Sequence, residues 1–251
     1  MTKRTKRWLF YSAVTVFLLL SYVMILYAQG YKYSFSEGKF QRTGAVALKA
    51  NTGAKVFLDD ELQGDTSFFG NTYSVDRLLP GAYKITVQKD NYSSWQKTAI
   101  VEEGFVADFP NILLLPEEGE EEQKLFDEVG LLFKESGLSN KASWSAEILS
   151  FEIPNDIEGF RLSENKNKLA WWTNNEIWIL WLNDQNYQPF YRKGDKELIT
   201  RFAQPIQNVV WFRGEDHLVL ELEAHDSKNR PYSVYKVIEL AKRGGLNIIE
   251  L

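Results

Sequence analysis

The chain has 251 residues, a formal net charge of -5 and no cysteine. Without thiols it has no disulfides, thiolate metal sites or thiol catalysis, and its acidic balance provides no basic stripe to track a phosphate backbone, which sets nucleic acid aside as a partner. Aromatic residues reach 14 %, and most fall in segments that alternate like strands, pointing to a mainly β body.

Lys3, Arg4, Lys6 and Arg7 precede a run from Trp8 to Ala28 without a charged side chain. At about 1.5 Å per residue such a run spans roughly 30 Å, the thickness of a bilayer's hydrocarbon core. It predicts a transmembrane helix over 8–28, anchored by Trp8, Leu9, Phe17, Leu18, Leu19, Leu20 and Ala28 among others. Cationic flanks are kept on the cytoplasmic side. Residues 1–7 are therefore expected to form a cytoplasmic tail, with the rest of the chain outside the cytoplasmic membrane. On the other flank Lys32, Lys39 and Arg42 are dispersed and partly offset by Glu37. Trp8, Tyr27, Tyr31 and Tyr33 lie near the two ends of the run, where amphipathic rings prefer the headgroup level. The competing reading is a signal peptide cleaved at Ala28-Gln29-Gly30, but the run exceeds the roughly 7 to 15 apolar residues usual for such signals.

Residues 44–116 alternate with period two between turn residues, which predicts a small all-β sandwich. Strands are expected at Ala45–Leu48, Ala54–Leu58, Tyr83–Lys89, near 94–101 and near 106–115. Asp59-Asp60 takes the place of a tight hairpin turn, which explains these acids, with Glu61, more simply than a calcium site does. In Tyr83–Lys89, Tyr83, Ile85 and Val87 share the packed face and Lys84, Thr86 and Gln88 the wet one.

The segment resembles the PEGA domain, a β-sandwich of bacterial and archaeal envelope and surface proteins. The resemblance rests on Gly53, Ala54 and the residues through Asp59, on Gly64 with Thr66, on Leu79-Pro80-Gly81-Ala82-Tyr83, and on Lys89-Asp90-Asn91-Tyr92 with Trp95. Asn51 and Ser67 stand where the family pattern has prolines. The resemblance implies adhesion, spacing or interaction at the cell surface and brings no catalytic residues.

Glu117–Glu122 is a like-charge run of the kind that stays solvated and marks linkers. Leu125, Phe126, Val129, Leu132 and Phe133 then fall at helical spacing, so 117–143 reads as an acidic linker with a short amphipathic helix to about Glu135. Its acidic face argues against lying on anionic lipid.

From about Trp144 to Leu251 the chain carries a weak repeat with a period of about 50 residues. Phe160–Trp171 aligns with Val210–Val219, each reading as strand, polar turn, strand, and each is followed by an alternating segment, Glu176–Leu182 and Tyr232–Leu240. Ile177, Ile179 and Trp181 point one way and Trp178, Leu180 and Leu182 the other, so this strand is buried on both faces. The copies resemble blades of TolB-like or WD-like propellers, although Leu162-Ser163-Glu164-Asn165 and Trp211-Phe212-Arg213-Gly214 depart from the family's Ser-Pro-Asp-Gly turn. Two blades cannot close a ring that needs four to eight, which would leave sheet faces or edges uncovered. An open stacked pair, packing on the first module, completion between protomers and descent from a longer propeller protein all remain open.

Chemistry-bearing constellations are sparse. His217 and His225 adjoin Asp216 and Asp226, yet eight residues of extended chain separate them by about 26 Å, so turn and surface roles are expected. Ser143-Trp144-Ser145 has no base nearby. Trp171, Trp172, Trp178, Trp181 and Trp211 suit a strand core better than a sugar-stacking platform, with Trp172 the candidate for an exposed glycan contact. The expectation is a mainly β, non-catalytic envelope protein without cofactor or metal. Its partners would be the lipid bilayer, an envelope protein or cell-wall polymer, or a second copy through exposed sheet edges. A cell-wall glycan-binding protein and an accessory remnant of a larger propeller enzyme are the alternatives.

Overall fold

A computed structural model describes residues 2–135, 151–154 and 156–251, with the backbone alone at 135. Helix α1 (Lys3–Ala28) is capped by the Thr2 side chain, which accepts the Thr5 N–H. An apolar helix of a soluble body buries a face; α1 buries no residue and is long and apolar enough to cross a membrane. The chain then forms a hairpin, β1 (Tyr31–Ser34) and β2 (Lys39–Arg42), for which the sequence gives no strand expectation. Thr43 closes its base, donating from N–H and hydroxyl to the Gly30 carbonyl, each at 2.8 Å.

Seven strands follow: β3 (Gly44–Ala50), β4 (Lys55–Leu58), β5 (Glu61–Asp65), β6 (Thr72–Leu78), β7 (Gly81–Gln88), β8 (Trp95–Val101) and β9 (Val106–Ile112). They form two sheets, ordered β6-β3-β9 and β5-β4-β7-β8, antiparallel throughout except for the parallel β3–β9 pair. Alternation drives the packing: Val46, Leu48 and Phe109 from one sheet meet Val56, Ile85, Val87, Trp95 and Val101 from the other in one core. Asp59 and Asp60 adopt φ of 49° and 67°, the left-handed pair of a tight hairpin. Their carboxylates take the Lys84 N–H and ammonium, each at 2.8 Å. Thr86, on the face of β7 expected to be wet, is buried as well.

Helix α2 (Glu120–Glu135) starts five residues before the first apolar position of its pattern. The acidic run expected as linker supplies its first turn through Glu120, Glu121 and Glu122, where negative charge meets the positive end of the helix dipole.

The repeats become two four-stranded meanders. The first contains β10 (Gly159–Leu162), β11 (Lys168–Trp172), β12 (Glu176–Trp181) and β13 (Lys196–Arg201). The second contains β14 (Ile206–Trp211), β15 (His217–His225), β16 (Pro231–Glu239) and β17 (Ile248–Glu250). Among the described residues no ring or barrel closes. Instead the sheets stack face to face, with Ala170, Trp172, Ile177, Ile179 and Trp181 against Val209, Leu218, Leu220, Leu222 and Ile238. Both outer faces are also covered. Leu113, Leu115 and the apolar stripe of α2 pack on Val210, Phe212, Val219 and Val237. Phe151, Ile153 and Ile157 pack on Phe160, Leu169, Trp171 and Leu180. The uncovered faces expected of an incomplete propeller are thus filled by the chain's own flanking segments.

Candidate functional site

Strand β8 sends Trp95, Lys97, Ala99 and Val101 to its buried side. A lysine in that phase needs a partner for its ammonium, and Glu239 at the end of β16 supplies one, with Lys97 Nζ 2.8 Å from its carboxylate. The Ala241 carbonyl accepts from the same ammonium. Glu239 accepts two further bonds, from the Trp95 indole N–H at 3.0 Å and the Asn247 amide at 2.9 Å. Burial pushes the Lys97 pKa down against the opposing pull of Glu239. Beside this pair the backbone also joins the two parts, the Thr98 N–H donating to the Gly244 carbonyl at 3.0 Å.

A second, partly buried pair lies across the two stacked sheets. Lys168 Nζ is 2.7 Å from Asp216 and also donates to the Glu215 carbonyl at 3.0 Å. Asp216 further accepts from the Asn111 amide of the segment that ends the sandwich, and from the Tyr187 hydroxyl at 3.5 Å. Burial and these carboxylates push the Tyr187 hydroxyl's pKa up, keeping it protonated. Arg243 donates to the Asp108 carbonyl and to Gln188 while lying 4.6 Å over the Phe109 ring. Between these groups a cleft of about 40 Å³ remains, lined by Asn111, Lys168, Tyr187, Asp216, Glu239 and Arg243 among others. Its size suits a few waters.

His217 pairs across strands with Glu239, whereas the carboxylate of Asp216, in the turn before β15, bonds to Lys168. The Asp216 carboxylate is thus committed to Lys168, although it lies close enough to pull on the imidazole. His217 is buried, which corrects the surface role expected of it, because the sandwich-end segment around Leu113 covers that face. Burial pushes its pKa down, outweighing the opposing pull of Glu239 and Asp216. His225, at the other end of β15, is exposed.

Trp172 is 1 % exposed, its ring pressed against the backbone at Gly159, so the expectation of an exposed glycan contact is corrected. It faces the second sheet. Trp171 and Trp181 are buried as well, while Trp178 and Trp211 are half-buried. The motif residues of the sandwich hold turns and core. Ala54 N–H donates to Thr66 Oγ1 at 2.9 Å near Gly53. The Tyr83 hydroxyl, after the Pro80-Gly81 turn, donates to the Leu79 carbonyl at 2.9 Å. Tyr92 lies under the Lys89 ammonium at 4.0 Å and bonds to Glu121 of α2. Trp95 packs edge-on to Phe109. Asn51 exchanges two 2.9 Å bonds with the Leu114 backbone, fixing the segment that covers the second sheet. Lys3, Arg4, Lys6 and Arg7 occupy the first turns of α1, and Ser143-Trp144-Ser145 lies outside the described residues.

The Lys97–Glu239 seam escaped the sequence reading. Its signal was a single lysine in phase with Trp95, Ala99 and Val101, which nothing local could assign to a partner 142 residues away.

No family model matches the chain. No curated protein matches it either. Among solved structures, it is similar to a DUF3823 family protein from Bacteroides ovatus ATCC 8483 at 12 % identity, covering 83 % of this chain and 99 % of that one, with a TM-score of 0.22.

Proposed function

We propose that this is a non-catalytic, membrane-anchored extracytoplasmic protein that holds a rigid two-part β body at the cell envelope as a spacing and binding module. In this reading α1 spans the cytoplasmic membrane with residues 1–7 inside. The first part is a PEGA-like sandwich, and the second is a stack of two propeller-like blades. The supporting observation is the pairing of an apolar helix that buries nothing with a body whose polar groups at the seam are engaged with one another. Glu239 and Asp216 each accept three hydrogen bonds and in this reading act as rivets.

The chain's lack of cysteine permits a direct test in cells with Thr5→Cys and Lys228→Cys variants and a membrane-impermeant maleimide. Lys228→Cys is expected to label in intact cells and Thr5→Cys only after lysis, with the protein retained in alkali-washed membranes. Release of a shortened chain beginning near Tyr31 would replace the anchored reading with a secreted one.

A further inference from the structure

Exposed apolar side chains are spread over the body, and one group of them follows directly on α1. Phe35 in the β1–β2 turn is 91 % exposed and meets Tyr33 edge-to-face, and Tyr33 in turn meets Phe40 edge-to-face. Phe105 and Val106, 63 % and 48 % exposed, lie at the start of β9. They belong to the same end of the sandwich, since Ala45 N–H donates to the Phe105 carbonyl at 3.0 Å and Gly104 N–H to the Thr43 carbonyl at 3.2 Å. Thr43 in turn is bonded to Gly30 at the end of α1. Arg77 fastens the same corner, its guanidinium 4.4 Å over the Tyr27 ring. The hairpin that carries Tyr33, Phe35 and Phe40 thus springs from the point where the apolar helix ends, with Phe105 beside its base.

We infer that this end of the sandwich is seated on the lipid surface, with Tyr33, Phe35, Phe40, Phe105 and Val106 in the headgroup layer. The inference rests on the reading of α1 as a membrane span. A helix whose apolar run ends at Ala28 places Tyr31, three residues on, within the interfacial zone that extends several ångströms beyond the hydrocarbon. Rings are favoured there because each has an apolar body to bury. Charge does not select the surface, because the exposed acids Glu37, Asp76, Glu102 and Glu103 match Lys32, Lys39, Arg42 and Arg77 at this end. The occupant is thus the bilayer interface itself, regardless of anionic lipid content. The body is held close against the membrane, whereas Phe68 and Phe69, at the opposite end of β6 from Arg77, stay in water.

The test uses the full chain in phosphatidylcholine vesicles with an environment-sensitive fluorophore on Ser36→Cys, Leu18→Cys or Phe68→Cys. The Ser36→Cys label is expected to emit to the blue of the Phe68→Cys label and to be quenched by nitroxide at the lipid headgroup. In a Phe35→Ser/Phe105→Ser background that quenching is lost. The Leu18→Cys label reports the span and is quenched by nitroxide deep in the acyl chains. Quenching at Leu18→Cys with none at Ser36→Cys overturns the seated hairpin and leaves the span intact. Absence of quenching at both overturns the span reading. A Ser36→Cys label that meets lipid only when phosphatidylglycerol is added overturns the apolar basis of the contact.

Discussion

Lys97 and Glu239 meet at 2.8 Å across the boundary between the sandwich and the two stacked sheets, with Lys97's side chain sealed from solvent and Glu239's nearly so. Buried ion pairs contribute little net stability but are costly to break on one side. Their position at the seam makes them a device for register, because Glu239 also takes the Trp95 and Asn247 donors.

Glu239→Ala leaves the Lys97 ammonium buried without its counter-charge and is expected to destabilise the body by about 3–5 kcal/mol. The Lys97→Met/Glu239→Gln double variant removes the charges together and keeps an acceptor for Trp95 and Asn247. It is expected to recover most of that loss in denaturant titrations. A double variant as unstable as the single one would mean that the ion pair itself supplies the stability.

Gly244 has φ of +76°, and a Cβ there would meet the Thr98 carbonyl oxygen at 2.2 Å. Gly244→Ala must push β8 and the 241–245 turn apart, adding a clash to a backbone strain of about 1–3 kcal/mol. Faster amide exchange is expected at Thr98 and around Gly244, while the cores of the two sheets keep their protection. Uniform loss of protection would place the joint inside a single folding unit.

The pKa of His217 is depressed in the folded state by burial. Its unfolded-state value is about 6.5, so below that pH the unfolded chain binds more protons than the folded one. Stability contributed by the neutral imidazole is present above about pH 6.5 and is lost as pH falls toward the depressed folded value. Glu239 and Asp216 oppose the depression, and Lys97 and Lys168 reinforce it. The denaturation midpoint is expected to fall between pH 7.5 and about pH 5, and His217→Asn to lessen that fall. An equal fall in the variant would assign the pH dependence to other groups.

A Cβ at Gly159 would lie 2.3 Å from the Trp172 ring. Gly159→Ala is expected to cost about 1–3 kcal/mol by overpacking and to shift tryptophan emission to the red as Trp172 is displaced. Wild-type emission is expected to stay unchanged on adding cell-wall glycans, because the Trp172 ring is buried between sheets. A glycan-dependent change lost in Trp172→Phe would restore the stacking role.

Strand positions with clean alternation were legible from sequence: Ile177, Ile179 and Trp181 face the partner sheet, and Trp178, Leu180 and Leu182 face outward. The Asp59-Asp60 turn was legible because left-handed φ angles select few residues. The β1–β2 hairpin was not, since four residues a side give too short a pattern and its exposed rings lack an inward face. The coverage of the two stacked sheets was hidden for another reason. Leu113, Leu115 and α2 carry ordinary apolar spacing, and which sheet they cover depends on contacts distant in sequence. Asp216 and His217 looked like a chemical pair as chain neighbours, yet Asp216 ends the turn before β15 and bonds to Lys168, while His217 opens the strand opposite Glu239.

The rigidity of the two-part body can be measured in the full chain by pulsed electron spin resonance, with nitroxides on Lys55→Cys in the sandwich and Lys228→Cys in the second of the stacked sheets. Both positions are exposed, and the chain has no cysteine to compete. One narrow distance distribution is expected, because Lys97–Glu239, Thr98–Gly244 and the Arg243 contacts bridge the two parts together. A broad distribution in the unmodified background would show the parts hinging freely and would contradict the rigid spacer.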